Sequence, residues 1–103
     1  MQRISRILIL EEAADDLVAG RDFYDKQEQG VGLFFWDCLI SDIESLTIYA
    51  GIHQRDFGLF RLLSKRFPYA VYYEIVESVA YVIAILPIKR DPDWIHQQLG
   101  NRS

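Results

Sequence analysis

Five basic side chains carry the strongest chemical signal in this sequence. Arg61 interrupts a short apolar run, Lys65 and Arg66 follow at the next bend, and Lys89-Arg90 ends a later apolar run just ahead of Asp91-Pro92. Arginine offers a planar fork of donors that matches the oxygens of carboxylates and phosphates. Such a set could hold an anionic partner, or stabilise charge developing at phosphorus. Metal-free cleavage of RNA would need two further groups, a base for the 2′-hydroxyl and an acid for the leaving oxygen. Tyr69 and His96 are the candidates, with Arg61, Arg66 and Arg90 as the cations. The plainer alternative is internal ion pairing, with Asp91 or Glu74 holding an arginine.

Other chemistries find no support. The sequence has no glycine-rich phosphate loop, no metal-spaced Cys/His set and no nucleophile elbow. No metal site and no cofactor are expected. Cys38 is the single cysteine, set among apolar residues, and reads as a buried structural thiol. That count excludes a disulfide framework and permits a reducing compartment. His53 reads as a surface residue on a loop. The acids Asp15, Asp16, Asp22 and Asp25 read as the solvated face of a helix.

The 103 residues suit one domain, and half of them are hydrophobic, which argues against disorder. The net charge is −4, unevenly spread. Residues 1–50 hold ten acids and four bases, whereas residues 51–103 hold five acids and seven bases. A nucleic-acid binder usually has a clearly basic face; here only a local basic patch is possible. The first twenty residues lack the apolar core of a signal peptide, and no stretch is long and apolar enough for a membrane span. A soluble cytoplasmic protein without a membrane partner is expected.

The elements that must position the basic set follow from periodicity. Residues 3–10 turn from mixed polarity to apolar, as a strand entering a core does. Glu11-Glu12 opens a helix, where acids suit the N-terminal turn, and Ala13, Leu17, Gly20 and Tyr24 repeat on one face. Gln29–Gly32 breaks the pattern. A second helix over 33–49 presents Phe35 or Trp36, then Leu39, Ile43 and Leu46; Asp37, Ser41, Asp42, Glu44 and Ser45 cover its outside. Residues 50–58 read as a loop. Strands follow over 59–63, 69–76 and 79–88. In the middle strand Tyr69, Val71, Tyr73 and Ile75 form one apolar set and Ala70, Tyr72, Glu74 and Val76 a half-buried one, as in a central strand with neighbours on both faces. Asp91 reads as an N-cap and Pro92 as the first residue of a short helix ending near Leu99. The expected class is α+β: a helical hairpin on a small, mainly antiparallel sheet, in the order β-α-α-β-β-β-α.

Three features together resemble the RelE/ParE toxin superfamily: Glu12-Ala-Ala-Asp-Asp-Leu17 followed by Phe23-Tyr24; Arg66-Phe-Pro-Tyr69 leading into Val71-Tyr-Tyr73; and Lys89-Arg-Asp-Pro-Asp-Trp94 after an apolar strand. The resemblance covers nearly the whole chain, residues 1–103. It implies the toxin of a type II toxin–antitoxin module, held inactive by a cognate antitoxin. RelE-like members cut mRNA on the ribosome; ParE-like members inhibit DNA gyrase and are not nucleases. Arg61, Arg66 and Arg90 match basic positions of the superfamily. Where many relatives place a His or Cys before the basic pair, this chain has Pro87-Ile88. With its acidity and no clear acid–base pair, the chain leans toward a protein target such as gyrase, with Arg61, Lys65, Arg66, Lys89 and Arg90 as the binding patch. The alternatives are a ribosome-dependent mRNA interferase and a non-toxic binding module of the same fold.

Overall fold

A computed structural model describes residues 3–102. The chain runs β1 (Arg6–Ile9), α1 (Glu11–Gln27), α2 (Val31–Glu44), α3 (Leu46–Tyr49), β2 (Arg55–Asp56), β3 (Leu59–Leu63), β4 (Tyr69–Val76), β5 (Val79–Pro87) and α4 (Pro92–Gly100). The sheet order is β1-β5-β4-β3-β2. β2 to β5 form an antiparallel meander, and β1 joins β5 in parallel. The expected α+β arrangement is present, with a helical hairpin on one face.

The α1–α2 hairpin packs Ala13, Leu17, Phe35, Leu39 and Ile43 against Val71, Tyr73, Val82 and Ile85. Tyr24 is half-buried and stacks on Phe35, 5.2 Å between ring centres. The hairpin closes tightly because Gly32 sits against the Arg21 carbonyl of α1, with no room for a Cβ. The turn is held by Asp25, whose Oδ1 accepts from Gly30 N–H at 3.0 Å and Gly32 N–H at 3.1 Å. The opposite face of the sheet carries a second, smaller core: Ile95 and Leu99 of α4 cover Leu59, Ala70, Tyr72, Ile83, Ala84 and Leu86. Both alternate sets of β4 are therefore buried from Tyr69 to Tyr73, while Glu74 and Val76 run past the helices into solvent.

Four expectations change. The second helix starts at Val31 and breaks at Ser45, whose Oγ donates to the Asp42 carbonyl and competes with the helical ladder. The expected loop contains a short strand, β2, paired with β3. Asp42 is buried rather than outward, because it accepts the Ser64 hydroxyl at 2.7 Å and so ties the β3–β4 bend to α2. The acids of α1 are not all a solvated face: Asp25 caps the hairpin and Asp16 is bound by Arg102. Cys38 is half-buried. No helix among the described residues is long and apolar enough to cross a membrane.

Candidate interaction site

β5 outlasts β1. Beyond Ile9 the outer edge of β5 has no strand beside it, and its polar groups find side chains instead. Ile85 N–H donates to Asp16 Oδ2 at 2.9 Å. Arg102, in the tail after α4, contributes a fork to both Asp16 oxygens and reaches the Ile83 carbonyl at 3.4 Å. Its side chain is 9% exposed and that of Asp16 is 14%. The bond to Asp16 raises the Arg102 pKa, outweighing the lowering that burial causes.

Next to this clamp lies a groove of about 640 Å³. One wall is α1, through Gly20, Phe23 and Tyr24; the floor is Tyr69 and Ile85–Pro87; the other wall is Trp94 and Gln98 of α4. Lys89 and Arg90 stand on its rim. Arg90 lies over the Trp94 ring at 3.8 Å. The groove is mostly apolar with a basic lip, the character of a site for a polypeptide segment or small ligand.

The basic residues divide. Tyr69 pairs with Pro87, and Ile88 N–H bonds to the Pro68 carbonyl at 2.9 Å, so the Lys65-Arg66 bend and Lys89-Arg90 share one end of the sheet. All four are exposed. Arg66 lies 6.0 Å from the Phe34 ring on the hairpin side, whereas Lys89 and Arg90 face the groove. Arg61 stands apart. It pairs with Tyr72, donates from Nε to the Tyr72 hydroxyl at 3.2 Å, and lines a different cleft. The expected pairing of Arg61 or Arg90 with Asp91 or Glu74 is absent among the described residues. Asp91 is occupied as the N-cap of α4, accepting from Asp93 N–H at 3.2 Å.

The acid–base candidates do not converge either. His96 bonds to Asp56 at 3.1 Å and stacks on Phe57, on the side of α4 away from the groove. Tyr69 does line the groove, but it is buried, and burial first, then Tyr24 and Asp16, push its pKa up. A phenol so placed gives up its proton less readily than one in water. His53 lies on a loop as expected but is not a free surface residue: it is bound to the hydroxyl of buried Tyr73. Asp16 and Arg102 were invisible to pattern reading, because 86 residues separate them.

No protein-family model matches the chain, and no curated protein matches it. Among solved structures, it is similar to a chain from "Chromosomal ParDE TA system from P. aeruginosa", with 19% identity and a TM-score of 0.74, over 84% of this chain and 97% of that one. The fold is ParE-like.

Proposed function

We propose that this chain is the toxin of a type II toxin–antitoxin module, neutralised by a cognate antitoxin, and that it acts in the cytoplasm on a protein target such as DNA gyrase. The ParE-like fold, matched to a chain of a ParDE system across most of both chains, carries the reading. The groove between α1 and α4 supplies a place for an antitoxin segment: an apolar floor gives contact area, and Lys89 and Arg90 favour acidic residues in the segment. Two positions support a protein target over mRNA cleavage. His96 is held by Asp56 away from Arg90, and Tyr69 lines the groove with a raised pKa. Cations are present without an acid–base pair beside them. On the exposed rim Arg66 and Arg90 would then fork onto carboxylates of the target, with Lys65 and Lys89 adding charge.

The test is induction of the wild type alone and together with a candidate antitoxin. Growth, plasmid supercoiling and mRNA ends on translating ribosomes are scored in the same cells. The expected result is growth arrest with lost supercoiling and intact mRNA, rescued by the partner and weakened in Arg90→Ala. Codon-positioned cuts that vanish in His96→Ala or Tyr69→Phe would replace this reading with the mRNA interferase. Unaffected growth would leave a non-toxic binding module.

A further inference from the structure

Helix α4 covers only part of its face of the sheet. Ile95 and Leu99 pack over Tyr72, Ile83 and Leu86, but towards the β4–β5 turn the same face runs past the helix into solvent. Strand register says which side chains stand there, because directly opposite residues of neighbouring strands project to the same side. Tyr81 packs against the edge of the α4 core, and its partners are Leu8 on β1 and Glu74 on β4. One pleat further, Val79 lies between Arg6 on β1 and Val76 on β4. These six residues form one patch across β1, β5 and β4.

The patch is apolar where an open sheet face is normally polar. Val76 is 49% exposed, and Leu8, Val79 and Tyr81 are half-buried. Contiguous apolar side chains on an open face mark a contact surface. The two charged members, Arg6 and Glu74, are exposed and stand at opposite corners. Two strand spacings and two residues separate them, roughly 12 Å, and neither has an ion-pair partner among the described residues. That layout is complementary to itself. When a second copy is laid face to face about a two-fold axis passing between the charged corners, each Arg6 meets the Glu74 of the other copy. Leu8 and Val76, the remaining corners, then lie near the axis and meet their own counterparts.

We propose that this uncovered part of the sheet is a self-association surface, on which a second copy of the chain packs face to face with two reciprocal Arg6–Glu74 pairs. The apolar middle supplies contact area and the charges fix the orientation. The patch lies at the β4–β5 turn, whereas the groove and the basic rim lie at the Pro87 end of β5. Self-association and groove binding therefore use different surfaces, and the proposal does not depend on the toxin reading. Six side chains make a small interface beside the roughly 800 Å² per partner of a stable complex, so the dimer is weak, with a Kd on the order of 100 µM.

The test is sedimentation equilibrium of the full chain between about 10 µM and about 1 mM, with amide NMR over the same dilution. A monomer–dimer equilibrium is expected, with concentration-dependent shifts at Arg6, Leu8, Glu74, Val76, Val79 and Tyr81. Arg6→Glu and Glu74→Arg each set like charges together twice per dimer and should weaken it by about tenfold or more. Mixed one to one, the two variants should associate again, because every corner contact then pairs a glutamate with an arginine. Native amide spectra of the diluted variants establish that each is folded. A chain still monomeric at about 1 mM would overturn the proposal. So would shifts confined to the α1–α4 groove, single variants that dimerise as the wild type does, or a mixture that stays monomeric.

Discussion

Replacing Asp16 with alanine removes, in one step, the acceptor for the Arg102 fork and for the Ile85 N–H. Arg102 would then keep Gln98 Oε1 and the Ile83 carbonyl, each at 3.4 Å, and Glu12 at 3.7 Å. Glu12 is largely exposed, so its charge is screened and compensates little. Removing one partner of a buried pair costs about 3–5 kcal/mol, and the residual contacts place this case near about 3 kcal/mol. For a domain of this size that is a fall in Tm of roughly 10–20 °C. Arg102→Met should cost less, about 1–2 kcal/mol, because Asp16 keeps the Ile85 amide. The double variant should be milder than the sum by about 1–3 kcal/mol, since each single change strands the other's partner. Urea melts supply the energies, and hydrogen exchange at Ile85 reports the sheet edge directly. A loss below about 1 kcal/mol for Asp16→Ala, or strictly additive losses, would refute the clamp as a coupled, desolvated unit.

Leu39→Ala removes a fully buried side chain between the hairpin and the sheet and should cost about 2–5 kcal/mol in denaturant melts. Gly32→Ala would bring a Cβ within 2.5 Å of the Arg21 carbonyl, a backbone atom that cannot yield; a loss of about 1–3 kcal/mol is expected despite alanine's better helix propensity. His53 has a lowered pKa in the fold, so as pH falls through about 6.5 the unfolded chain takes a proton that folded His53 refuses, and stability declines. Melts between about pH 7.5 and about pH 5.5 should therefore show a smaller drop for His53→Gln than for the wild type.

Much of the architecture was legible because it rests on local periodicity. The Ala13–Leu17–Gly20 face, the Leu39–Ile43 face, the three long strands and the Asp91-Pro92 helix start each carry their signal within one turn or one pleat, and each lies where the pattern puts it. The break at Ser45 was hidden because serine, in a sequence, does not reveal whether its hydroxyl points to solvent or back to a carbonyl. The β2 strand is two residues long and exists only because β3 is there to pair with it.

Residue types alone determined an α+β arrangement with basic residues near the strand bends and no metal-spaced Cys/His set. Where those cations act was decided by tertiary structure. Strand register brought Lys65-Arg66 and Lys89-Arg90 to one end of the sheet and left Arg61 on another edge. The early end of β1 exposed an edge of β5 that Asp16 and Arg102 then satisfied across 86 residues of sequence. Such pairings are chosen by unsatisfied backbone groups and desolvated charges in the folded chain. A one-dimensional pattern carries no record of which distant side chain will meet them.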